Sequence, residues 1–379
     1  MATVTITGAA GVTNAITLNT AQTTQLAQQV ANIINAAATD GTVNAVNFPG
    51  PFIAGPDVNE AVIPLDASSG SYTGPIGFQY VVDAATVPVT VSAAVDQAVV
   101  AGNAGITFNA FAGDTLVAGG GDSVVSLSGA NNVVTLADGS TTIFGGTATG
   151  STIDGGAGNV TMYGSTSGST VVLSSGTNDI IEGSGPDTIT AGGGADTIFG
   201  NTGASLVFGG TGSLTFVAGT GASTISGGTA GPTLFGSAGS DVAYTGSGNP
   251  QYVAGAGNET LDAASSSGNS LLYGAKSGST VTIIGGSGND TIVGSTGATD
   301  MTGGAGANVF AFFQANGSGG PDIIGDFTSR DEVLLSGYGA SGVSASVTAG
   351  GNTTLTLSDN TTITFTGITN LNPNQIIKT

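Results

Sequence analysis

From Leu173 onward the chain repeats every nine residues: "LSSGTNDII", "EGSGPDTIT", "AGGGADTIF", "GNTGASLVF", "GGTGSLTFV" and "AGTGASTIS" follow one another without a gap. Glycine holds the fourth place of each block and an apolar residue the eighth. One looser block, "GGTAGPTLF", is followed by "GSAGSDVAY", "TGSGNPQYV" and "AGAGNETLD", and after two spacers by "GGSGNDTIV", "GSTGATDMT" and "GGAGANVFA". A block with one large apolar residue cannot bury anything alone. Stacking the blocks at the strand spacing of about 4.8 Å lines these residues into ladders that bury one another, which is the logic of a solenoid.

Composition fits that reading. Glycine accounts for 67 of 379 residues, and 39% are hydrophobic while only 7% are charged, which suits frequent tight turns between β-strands better than disorder. Against 24 Asp and Glu stand only Lys276, Arg330 and Lys378, for a formal charge of −21. Nucleic acid and anionic membranes would be repelled; the excess suits neutralisation by a divalent cation and equally a plain soluble surface. Without Cys or His the chain can form no disulfide, thiolate or His-ligated metal site, and no Ser-His-Asp or Cys-His machinery. No apolar run of about 18 residues suggests a membrane span, and "MATVTITGAAGVTNAITLNT" does not read as a secretory signal.

The blocks resemble the Gly-Gly-x-Gly-x-Asp-x-U-x nonapeptides of the RTX calcium-binding family, where U is a large apolar residue. A second resemblance lies in "GGAGANVFAFFQANGSGGPDIIGDFTSRDEVLLSGYG", similar to the segment that closes RTX rolls, followed by alternating strands. The resemblance implies a mainly β fold, a right-handed parallel β-roll in which two nonads form one coil. It also implies Ca2+ as cofactor and a C-terminal signal for type I secretion. The expected organisation is an α+β capping or assembly domain over 1–105, the roll over 106–315, and a C-terminal β cap over 316–379.

If two nonads make a coil, sixth-place acids stack at i and i+18. Asp187 then faces Ser205, Asp196 faces Asn178, Asp241 faces Glu259, and Asp290 faces Asn308. Elsewhere the sixth place holds Leu214, Ser223 or Pro250, so three to four weak sites are expected, with affinities of about 10⁻⁴ to 10⁻³ M. The alternative is that such acids only cap backbone, as an isolated "GAGN" turn, Asp114 and Asp122 are read to do. For Asp322 and Asp326 in the closing segment, calcium ligation and hydrogen-bonded closure both stand.

The first hundred residues lack the rhythm and hold six of the eleven prolines, from Pro49 to Pro88. One helix is expected, with Asn19 as N-cap, Gln22 three places on, and Leu26, Val30, Ile33 and Ile34 on one face. "GFQYVVD" and "VPVTVSAAV" read as strands. Asp57, Glu60, Asp66 and Asp83 lack the nucleophile or base that a catalytic pair needs. The expected function is therefore a non-enzymatic extracellular protein that assembles with itself on a bacterial surface as an S-layer, filament or biofilm matrix, with cell-surface polysaccharide as a further partner. Alternatives are an adhesin, an ice-binding module or an accessory subunit of a polysaccharide-active enzyme.

Overall fold

Short strands of three to five residues, each with one or two apolar side chains turned inward, carry the architecture of the computed structural model. It describes residues 2–7, 13–18, 21–39, 43–56, 58–64, 66–275, 279–316 and 319–379. They fall into two compact units, Met1–Asp196 and Thr197–Thr379. In each, strands pair in parallel with the strand two ahead, and this makes a β-solenoid with two walls.

In the first unit one inner column runs Ala61, Val81, Val99, Leu116, Val134, Ile153, Val171 and Ile189. The facing column runs Val91, Phe108, Val125, Ile143, Met162 and Ile180. All are buried. The second unit repeats the scheme with Val207, Ile225, Ala243, Leu261, Ile283, Met301, Ile324 and Phe365 on one wall. Phe216, Leu234, Tyr252, Leu272, Ile292, Phe310 and Val333 line the other. Each such residue contributes roughly 1.5–3 kcal/mol when fully buried, so the ladders carry the fold.

The expected boundary near 106 does not mark the first coil. Val43–Asn47 pairs in parallel with Val58–Ile63, which pairs with Tyr80–Asp83 and so on into the nonads. The Pro-rich segment is therefore largely solenoid, and "GFQYVVD" and "VPVTVSAAV" supply two of its strands.

Residues Ala21–Thr39 form the expected helix, but its buried face differs. Ala27, Ala31 and Ile34 pack with Ile6 on Val62, Val82, Val100 and Val117, with Val30 beside them. Those valines are the outward residues of successive coils, so the helix covers a side wall. Ile33 is 50% exposed, contrary to expectation, because the close approach is made through alanines instead. Asn19 and the side chains of Gln22 and Leu26 lie outside the described residues. Among the described residues, no helix is long and apolar enough to cross a membrane.

Candidate metal centre

The sixth place of each nonad opens its strand, and its side chain turns inward between the turns of neighbouring coils. Asn178, Asp187, Asp196, Asp241, Glu259, Asp290, Asn308 and Asp322 are all buried. Most accept the main-chain N–H of the equivalent place one coil earlier. Val160 N donates to Asn178 Oδ1 at 2.8 Å, Ser169 N to Asp187 at 2.7 Å and Ser223 N to Asp241 at 2.8 Å. Ser270 N donates to Asp290 at 2.6 Å, Asp290 N to Asn308 at 2.9 Å and Thr299 N to Asp322 at 3.1 Å. The side chain also reaches back to its own turn: Ser237 N meets Asp241 Oδ2 at 3.3 Å, Gly255 N meets Glu259 Oε1 at 2.7 Å and Gly286 N meets Asp290 Oδ2 at 2.8 Å.

Three of the expected pairs come together. Asn178 Nδ2 donates to Asp196 Oδ1 at 2.6 Å. Asp290 and Asn308 are joined as above. Asp241, just before the strand Val242–Tyr244, and Glu259, at the start of the strand Glu259–Asp262 paired with it, are linked by Thr260 N to Asp241 O at 3.0 Å. Their carboxyls share a pocket lined by Phe216, Leu234, Tyr252 and Leu261. Burial pushes the Glu259 carboxyl up to about 8 against the pull of the Gly255 N–H, and the Asp241 charge adds to the rise. A Cβ at Gly236 would crowd the Glu259 carboxylate, which would have to turn aside. Asp187 takes the Ser169 N–H, and the Gly183 N–H of its own turn also favours its charged form.

The closing segment divides its two acids. Asp326 takes Gly303 N and Gly304 N, both at 2.7 Å, one on each oxygen, and so caps the last Gly-Gly turn. Gly304 sits at φ +81°, where a side chain would be strained. Asp322 is wholly buried; among the described residues its Oδ2 has no hydrogen-bond partner, and burial holds its carboxyl at about 8 despite the opposing Thr299 bonds. Asp331, not among the expected ligands, continues the inward column by accepting Asn308 N at 2.8 Å and Thr328 N at 2.7 Å. Its signal was its place in the closing segment.

A second set of ties runs the other way. Fifth-place asparagines accept the N–H of the following coil: Thr177 N to Asn159 at 2.8 Å, Asn269 N to Asn249 at 3.0 Å, Thr280 N to Asn258 at 2.9 Å, Asn289 N to Asn269 at 2.9 Å and Ala307 N to Asn289 at 2.8 Å. The Asn of "GAGN" thus clamps the next coil. Inward acids tie backward and outward asparagines tie forward, which satisfies turn N–H groups that would otherwise be orphaned. Asp114 also behaves as a cap, taking Gln97 N at 2.9 Å and Phe111 N at 2.7 Å, and Asp122 accepts Ser140 N at 2.8 Å.

The donor set suits a hard cation. Glu259 Oε2 and Asp322 Oδ2 are sealed from solvent without a hydrogen-bond partner among the described residues, a costly state for a carboxylate unless it meets a positive charge. Among the described residues, no three acidic side chains converge, so a calcium ion here would draw further oxygens from turn carbonyls, as that ion readily does. Glu60 and Asp83 in the first unit are buried too, but they lie three positions apart in register and so on opposite faces of one wall. Asp66 is exposed and Asp57 lies outside the described residues.

The sequence profile of the RTX calcium-binding nonapeptide repeat (four copies) matches residues 111–143, 173–207, 233–261 and 282–310. A search among curated proteins returns no match. Among solved structures, the crystal structure of extracellular lipase LipA from Serratia marcescens is similar over 58% of this chain, at 18% identity and a TM-score of 0.29. The chain spans 40% of that lipase chain.

Proposed function

The chain carries RTX calcium-binding repeats wound as a parallel β-solenoid, and from that premise we propose that it is a non-enzymatic, extracellular structural protein that folds with calcium outside the cell and assembles with itself at the bacterial surface or in its matrix. The carrying observation is the column of buried sixth-place carboxyls in which Asp187 Oδ2, Glu259 Oε2 and Asp322 Oδ2 find no hydrogen-bond partner among the described residues. Asn178, Asp187, Asp196, Asp241, Glu259, Asp290, Asn308 and Asp322 would hold calcium, while Asp326 and Asp331 would serve chiefly as caps. Calcium would supply the positive charge that lets neighbouring turns close. Export would use a type I signal in the C-terminal segment.

Calorimetric titration tests the assignment. Replacing Asp241 and Glu259 together with Ala should lower the calcium stoichiometry by one, whereas Asp138→Ala should leave it unchanged. Equal stoichiometry in the double variant and the parent contradicts the ligand assignment. For assembly, light scattering should show association that grows with millimolar calcium.

A second reading, contact with a neutral polysaccharide, is supported by an apolar groove of about 360 Å³ beside Tyr273, Val253 and Asn316. A ring face flanked by an amide suits a sugar. A glycan array separates the two readings.

A further inference from the structure

In the second unit the wall strand Pro321–Ile324 is followed by three more strands, the first parallel to it and the next two antiparallel to their neighbours. Thr362–Phe365 joins that strand, Asn352–Leu357 joins Thr362–Phe365, and Val343–Ala349 joins Asn352–Leu357. The last of these has no second neighbour among the described residues. Its sequence, "VSASVTA", alternates apolar and hydroxyl side chains as a half-buried strand does, yet six of its seven residues are exposed. Val347 is 58% exposed. Over Ala345–Ala349, past a register shift at the strand's start, an apolar face and a free hydrogen-bonding edge thus coincide, and among the described residues nothing covers them.

Natural edges are guarded by brevity, charge or proline. The other wall of this unit follows that rule: its terminal strand Ile376–Lys378 is three residues long and carries Lys378, whose Nζ reaches Ala340 O at 3.3 Å. Val343–Ala349 has neither charge nor proline and is not short; its one irregularity, a register shift between Val343 and Ala345, lies at its start and leaves Ala345–Ala349 regularly paired with Asn352–Thr356. No Asp, Glu, Lys or Arg occurs in it or in the two strands beside it, although the chain as a whole carries −21. Two copies can approach here without opposing carboxylates. Seven uncharged residues without Pro or Gly also match the composition of strands that pair between chains.

We propose that Val343–Ala349 is a self-association strand that pairs antiparallel with the same strand of a second copy. Antiparallel pairing of a strand with itself is self-complementary, so the contact is isologous and closes as a two-fold dimer. The proposal rests on the self-association read above and names where it occurs. Because the contact is uncharged while the copies repel through their remaining acids, added salt should strengthen it.

Sedimentation velocity of the full chain in calcium tests the contact. Val347→Lys places like charges in the paired edge, and its exposed site leaves the fold intact, as unchanged circular dichroism would show. The dimer dissociation constant should rise about tenfold or more. Ala345→Lys should act the same way and serves should Val347→Lys misfold. If the parent associates and both folded variants associate equally well, the strand is not the contact, while the assembly reading stands. A parent that stays monomeric at every concentration overturns the proposal and the assembly reading together.

Discussion

Glu60 shows what an acid costs when it has neither a metal nor a cap. It is fully buried, both carboxyl oxygens lack hydrogen bonds among the described residues, and burial lifts it from 4.5 to about 7. The folded value lies above the unfolded one, so the native state holds the extra proton and stability falls as pH climbs from about 4.5 toward 7. Glu60→Met should therefore stabilise the protein at pH 8 by about 1–4 kcal/mol, and by less at pH 5, in chemical denaturation. Asp187, raised to about 6 by burial against the Ser169 and Gly183 N–H groups, acts in the same direction, as do Glu259 and Asp322 at about 8. In chelator the melting temperature should thus decline between pH 5 and 8. In calcium, which favours the ionised carboxylates, that decline should flatten or reverse, because the ion competes with the proton for the same oxygens.

At the scale of elements, the helix Ala21–Thr39 depends on small residues to reach the side wall. Ala31 is fully buried among Val62, Val82, Val100 and Val117. Ala31→Asp should undock the helix at a cost of several kcal/mol, read as faster proteolysis of the N-terminal segment while the nonad coils stay protected. The nonad strands and the C-terminal strands were legible because period and alternation write them directly, as with Ile189, Ile225 and Ile292 at eighth places. The early coils were not. Register there gives coil lengths of 15 residues from Val43 to Val58, 20 from Glu60 to Tyr80 and 18 from Tyr80 to Ala98, so no fixed period exists to be read. The helix face was misjudged for a related reason: large side chains dominate a sequence pattern, whereas close packing selected Ala27 and Ala31 over Ile33. At the candidate site, the i, i+18 spacing placed Asp196 with Asn178 and Asp290 with Asn308. The insertion in the closing segment, which stretches the step to 23 residues, hid Asp331.

Across the whole molecule, charge and metal pull in opposite senses. A chain of −21 repels itself, and its buried acids cost more still, so folding should be held back where free calcium is scarce and favoured where it is abundant. Neutral ties such as Asn258 and Asn289 hold many turns without metal, so loss of calcium should loosen the coils rather than abolish them. The most direct test is thermal unfolding followed by circular dichroism at neutral pH, in chelator and in millimolar calcium with magnesium as the ionic control. A higher melting temperature and a gain of β-signal in calcium, not reproduced by magnesium, is the expected result; identical curves in all three conditions would contradict calcium as the partner of the buried carboxylates.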